Sequence, residues 1–121
     1  MDMKMAFALV TSLIASGLAG CSKPVTYADV EPLLMDKCGT CHTDDQEGVV
    51  KSGFSVSSYD AVMKGTRLGP VIVPGSAESS TLYRMVSGET DPKIHMPHNG
   101  SWLGAGQIKM IRRWIDTGAR Q

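Results

Sequence analysis

Cys38-Gly39-Thr40-Cys41-His42 sets two thiols three positions apart, with an imidazole directly after the second. One short turn can then offer both sulfurs to the two vinyl edges of a single porphyrin, forming two thioethers, and deliver a ring nitrogen to the iron beneath it. Two other chemistries use parts of this pattern. A C-x-x-C pair alone can cycle as a redox dithiol, and Cys38, Cys41 and His42 can serve as three ligands of a tetrahedral zinc site. A zinc site wants a fourth ligand at matching spacing, usually a second Cys pair or an H-x-x-x-H, and no Cys follows Cys41. A redox pair is expected to open a helix after a buried strand within a βαβ pattern, and nothing in the chain alternates that way. The pattern therefore points to one covalently bound haem c, held by Cys38 and Cys41, with His42 as an iron ligand.

Haem iron has a second axial position, whose occupant separates electron carrier from sensor and catalyst. A thioether there favours the ferrous state and raises the potential, a second imidazole lowers it, and an open position admits small molecules. Axial ligands alone move the potential over about 0.8 V. Met35, Met63, Met85 and Met110 sit within helical patterns, where the ordinary role of methionine is to fill gaps in a core. Met96 lies between His95 and Pro97, where the fixed φ of proline helps hold a sulfur against iron. His95 and His98 are the competing ligands, and all three also read as exposed loop residues. No nucleophile motif accompanies the imidazoles.

These groups must be positioned by short helices. Asp29 is a good N-cap for a first helix, with Pro32 in its first turn, and Val30, Leu33, Leu34 and Lys37-Cys38 follow at three- and four-residue steps. One apolar stripe thus runs into the thiol pair. Residues 43–53, acidic and with two glycines, read as a solvated loop, and Phe54 and Val56 alternate with serines as a short extended piece. Ser57 or Ser58 caps a helix over residues 59–64, closed by Gly65. Residues 68–75 form an extended stretch bracketed by turn formers. Ser76 and Ser79 offer caps for a further helix in which Leu82, Met85 and Val86 share a face, with Gly88 as its stop. The last helix covers about residues 104–116, with Ile108, Ile111 and Ile115 on one side, Trp114 beside them, and Gly118 at the end. Lys51, Lys64 and Arg67 read as solvated surface, with haem propionates as possible partners, and Trp102 and Trp114 as packing residues. The expected fold class is mainly α: a bundle of three to four helices whose long loops wrap around one covalent haem.

The N-terminus carries an address. Lys4 precedes an apolar run over residues 6–18, too short for a comfortable membrane span, that ends in Leu18-Ala19-Gly20-Cys21. That ending resembles the lipobox of bacterial lipoproteins, which implies that residues 1–20 are removed and that Cys21 is acylated as the new N-terminus. Ser22, where an Asp would signal inner-membrane retention in enteric bacteria, leans towards the outer membrane. An ordinary cleavage site, or a thiol paired with another chain, is the bland reading of Cys21. Acyl chains on Cys21 would hold the protein firmly at a membrane surface, since each buried methylene contributes about 0.8 kcal/mol. Residues 21–28 then form a lipidated tether and residues 29–121 one small domain.

The full chain carries 12 basic and 12 acidic side chains; loss of Lys4 and Asp2 with the signal leaves 11 of each, so formal charge stays at zero. Nucleic acid is not an expected partner, since a phosphate-binding face shows as an excess or cluster of Lys and Arg. Redox proteins and, through the anchor, a membrane are the expected partners, with the protein a monomer.

At this point the sequence resembles small class I-like cytochrome c domains, in particular the planctomycete-type cytochrome c. The carrying residues are Val30-Glu31-Pro32-Leu33-Leu34 before the Cys38 to His42 motif, Val73-Pro74-Gly75 with Ser79-Ser80-Thr81-Leu82, Met96-Pro97, and Trp114-Ile115-Asp116-Thr117-Gly118-Ala119. The resemblance implies thioethers at Cys38 and Cys41, proximal ligation by His42, distal ligation by Met96, and first and last helices that cross beside the haem edge. Gly104 departs from the Ser that usually opens the last helix, and His98 follows Pro97 where the family often has Pro or Gly. The expected function is a periplasm-facing, membrane-anchored single-electron carrier. A haem peroxidase-like enzyme using His95 or His98, and a haem-based ligand sensor with a labile sixth position, are the alternatives.

Overall fold

The computed structural model describes residues 22–121; the signal expected over residues 1–20 and the expected lipid site, Cys21, lie outside the described residues. Five α-helices follow one another: α1 (Tyr27–His42), α2 (Glu47–Ser52), α3 (Tyr59–Lys64), α4 (Thr81–Ser87) and α5 (Ala105–Asp116), with one 3-10 turn at Pro92–Ile94. Among the described residues there is no β-strand, only an isolated bridge between Thr66 and Gly69. The mainly α class is as expected, with one helix more than the bundle of three to four.

The extra helix is α2, in the stretch expected to be a loop. Its six residues are held from outside. Glu47 and Lys51 form an ion pair one turn apart. The Arg67 guanidinium donates to the Lys51 and Val50 carbonyls at 2.9 and 2.5 Å, and the Arg67 N–H to that of Ser52 at 3.0 Å. Arg67 thus satisfies the orphan carbonyls of α2, a role that contact with a residue sixteen positions upstream hides from local pattern reading. Gly53, at φ 79°, makes the turn out of the helix in the left-handed region.

α1 starts three residues earlier than expected. Thr26 is the N-cap, and the Asp29 carboxylate accepts from its N–H at 2.8 Å and its hydroxyl at 3.1 Å, which holds the carboxyl below its usual range. The added turn places Tyr27 in the core and moves Pro32 from the first turn into the second. The Tyr27 ring meets Tyr59 edge-on at 5.4 Å and Trp114 at 6.0 Å. Trp114 is fully buried, with Ile111 and Ile115 beside it on α5, and Val30 and Leu34 on α1. The indole N–H and the Tyr27 N–H both end on the Arg120 carbonyl, at 2.9 and 2.8 Å. At the other end of α5 the Gln107 carboxamide accepts from the Gly104 N–H at 2.9 Å, supplying a side-chain contact that the missing Ser would otherwise share in.

The irregular stretch between α3 and α4 is clamped from two sides. The Ser80 hydroxyl, fully buried, accepts from the Val73 N–H at 2.9 Å and donates to the Ser76 carbonyl at 2.8 Å. From α5 the Ile115 carbonyl takes the Gly75 N–H and the Asp116 carboxylate takes the Ala77 N–H, both at 2.8 Å. Loop backbone that no strand could satisfy is therefore satisfied by specific side chains. Ser80→Ala removes both the acceptor of the Val73 N–H and the donor to the Ser76 carbonyl, and we expect a loss of about 2 kcal/mol, read as a lower urea midpoint at unchanged slope.

Candidate functional site

A cavity of about 690 Å³ opens between the C-terminal half of α1, α2, α4 and the loop over residues 96–99. Its walls are largely apolar, with Phe54, Val71, Leu82 and Val86 among them. Cys38, Cys41 and His42 lie together on one wall, where the last turn of α1 sets the two thiols on one face. Met96 and His98 line the same cavity from the loop after the 3-10 turn, and Met85 from α4. No residue of α5 reaches it. α1 and α5 do pack on one another, as the resemblance implies.

His42 is tightly oriented. Its Nδ1 lies 3.0 Å from the Phe54 carbonyl oxygen, and since a carbonyl can only accept, Nδ1 carries the proton and Nε2 is left with its lone pair for a metal. The Phe54 ring meets the imidazole edge-on at 5.3 Å. The Val56 N–H closes the turn onto the His42 carbonyl at 2.7 Å. Behind the ring stands Gly48. A Cβ there would sit 2.5 Å from the Cys41 carbonyl oxygen and 2.7 and 2.8 Å from Cε1 and Nδ1 of His42. Reading residues 43–53 as a loop overlooked this glycine. The signal was the Gly-Val-Val run after an acidic residue, which is compatible with a short helix whose first turn must approach a neighbour closely.

The two thiols are free, Cys38 half-buried and Cys41 exposed. Burial, and then the neighbouring Cys41, push the Cys38 thiol up to about 11. A redox dithiol needs the opposite shift, towards the thiolate. Among the described residues no three His, Cys, Asp or Glu side chains converge closely enough to hold a metal ion, so the zinc geometry is not formed either.

The three distal candidates are separated. Met96 is half-buried and packs against the core, its N–H donating to the Met85 carbonyl at 3.2 Å. His98 is exposed at the rim. His95 is not part of the cavity wall: its ring stacks on Trp102 at 4.7 Å, beside Gly88, with Nε2 buried and without a partner. Trp114 is a packing residue as expected, whereas Trp102 is 61 % exposed, because its indole covers His95 rather than the core. Of the methionines expected to fill gaps, Met63 packs on the core, Met35 and Met110 lie open to solvent, and Met85 faces the cavity.

A family profile described as Planctomycete cytochrome C matches residues 38–100, beginning on the first thiol and ending past Met96-Pro97. The chain belongs to the planctomycete cytochrome C family. The match stops before α5, so the Trp114 to Ala119 stretch lies outside it. No curated protein and no solved structure matches the chain.

As a planctomycete cytochrome C, the chain is a c-type cytochrome, and the family implies haem c. The residues present fit that group. The cavity volume lies within the range of about 300–1,000 Å³ usual for cofactor pockets, its walls are apolar, two unpaired sulfurs share one wall, and a correctly protonated imidazole follows them. Gly48→Ala drives a methyl into the imidazole. We expect it to break the bond to Phe54 and to weaken ligation by His42 about tenfold or more, measured as a loss of the low-spin fraction in the ferric spectrum at equal covalent haem content.

Proposed function

We propose that this cytochrome is a monohaem single-electron carrier, held by acyl chains on Cys21 and facing the periplasm from a bacterial membrane, the outer one by the lean of Ser22. The supporting observation is the convergence of Cys38, Cys41, His42 and Met96 on one apolar cavity, with Nδ1 of His42 committed to the Phe54 carbonyl.

Haem iron supplies a one-electron couple when bound. The chain's own residues do the rest. Cys38 and Cys41 would hold the porphyrin through two thioethers, so that it stays attached whatever the oxidation state. His42 would hold the iron through Nε2, and the hydrogen bond behind it prevents the ring from turning. Met96 would supply a thioether ligand and favour the reduced state. Phe54, Val71, Leu82 and Val86 exclude water from the interior, while Leu68, 99 % exposed, stands at the mouth with Thr40 and Asn99. A mouth of this kind suits a brief docking contact burying less than about 1,200 Å² in total, as rapid exchange between redox partners requires. The protein acts as a monomer in this reading, and has no catalytic residue.

Two measurements test it. Met96→Ala should abolish the sulfur–iron charge-transfer band of the ferric protein and lower the midpoint potential by a sizeable part of the span of about 0.8 V open to axial ligands, while His98→Ala leaves both unchanged. A wild-type ferric spectrum that is low-spin but lacks the band, and turns high-spin in His98→Ala and not in Met96→Ala, would make the imidazole the ligand; a high-spin wild-type spectrum that shifts with peroxide or CO would favour the peroxidase-like or sensor alternatives. The mass of the mature N-terminus reads the anchor directly: acylated Cys21 is expected, and an unmodified residue there would refute it.

A further inference from the structure

A second concave surface, unrelated to the haem cavity, lies where the N-terminal segment meets α5. Lys23, Lys109 and Arg113 line it around Met110, and Asp29 is its sole carboxylate. The chain as a whole is neutral, so three cations to one anion on a single face is a local excess. That carboxylate is moreover already engaged by Thr26. On α5 the residues concerned are Gly106, Lys109, Met110 and Arg113, at steps of three, four and seven, which put them on one side of the helix. All are exposed, Met110 included at 37 %.

Two further observations say what this face meets. The Arg113 guanidinium donates to the Ser22 hydroxyl at 3.3 Å, so the chain leaves the domain across this surface, one residue from Cys21. The groove also lies at the N-terminal end of α1, whereas the thiol pair is at its C-terminal end. Asp29 and Cys41 are separated by about 18 Å of helix axis. We propose that this face docks on an anionic phospholipid surface, with Lys23, Lys109 and Arg113 against the headgroups and Met110 at the interface, and that the haem cavity is thereby held off the bilayer. The proposal rests on the lipid anchor of the preceding subsection, which brings this face to the membrane first. It adds an orientation that a flexible tether alone would not give. Each basic side chain close to an anionic leaflet biases the docked state by about fivefold.

The mature, haem-loaded and lipidated full chain is reconstituted in vesicles of phosphatidylcholine, with or without phosphatidylglycerol, and its lysines are acetylated by a water-soluble reagent and read by mass spectrometry. On the anionic vesicles Lys23 and Lys109 should be protected about tenfold or more relative to the neutral ones, with Lys51 at the cavity rim reacting equally on both. Arg113→Gln should reduce the protection of Lys109 about fivefold. High salt should remove it. Equal reaction of Lys109 on the two vesicle types, or protection that appears at Lys51 instead, overturns the proposal. Failure of the anchor is separately visible: a chain without lipid does not stay on neutral vesicles, while Lys109 protection on anionic vesicles still decides the docking.

Discussion

The contact on which the rest of the site depends is the hydrogen bond from Nδ1 of His42 to the Phe54 carbonyl. Covalent attachment through the thiols fixes where a porphyrin can sit, but it leaves the following imidazole free to rotate and to choose either tautomer. A backbone acceptor behind the ring removes both freedoms at once. That acceptor exists only if the chain returns to α1 within twelve residues. α2 makes the return, and it can do so only with Gly48 against the imidazole and with Arg67 holding the helix's terminal carbonyls. A six-residue helix has little stability of its own. Its dependence on Arg67 therefore links the region after α3 to the orientation of an imidazole that it never touches.

The other side of the cavity has a different solution. Residues 71–77 carry no regular structure, yet Val71 at their start lines the cavity. Ser80 and Asp116 satisfy their backbone from opposite directions, and Leu82 donates its N–H to the Val71 carbonyl at 3.0 Å. The serine run and the Trp-Ile-Asp stretch, distant in sequence, are thus two halves of one clamp. Trp114 and Ile115 bury their side chains in the core, and Asp116, at the end of the same helix, reaches out of it to the loop.

Much of this was legible before any coordinates. The thiol pair and its imidazole, the stops at Gly65 and Gly88, a cap at Ser57 or Ser58, which the structure places at Ser58, and the Ile111–Trp114–Ile115 face of α5 all follow from local chemistry at short spacing. What escaped reading depends on partners far along the chain. α2 looked like a loop because its carbonyl partner is Arg67; the true start of α1 was obscured because Tyr27 earns its place through Tyr59, Trp114 and Arg120. Ser80 rather than Ser76 or Ser79 takes the N-cap position of α4, and its side chain bonds Val73 and Ser76 rather than the helix. At the candidate site, spacing could name Met96, His95 and His98 but not sort them. Sorting needed the stacking of His95 on an exposed indole, which turns that ring away from the cavity wall.

The two extremities of the described chain are fastened to each other. The Arg120 carbonyl receives both the Tyr27 amide and the Trp114 indole, and the neighbouring Ala119 carbonyl receives the Tyr59 hydroxyl at 3.0 Å. Any polypeptide genetically appended after Gln121 would consequently emerge beside the N-terminal segment, at the opposite end of α1 from the wall that carries the thiol pair. Fusions made there should leave the cavity mouth unobstructed, and a circularly permuted form could join the extremities with a short bridge.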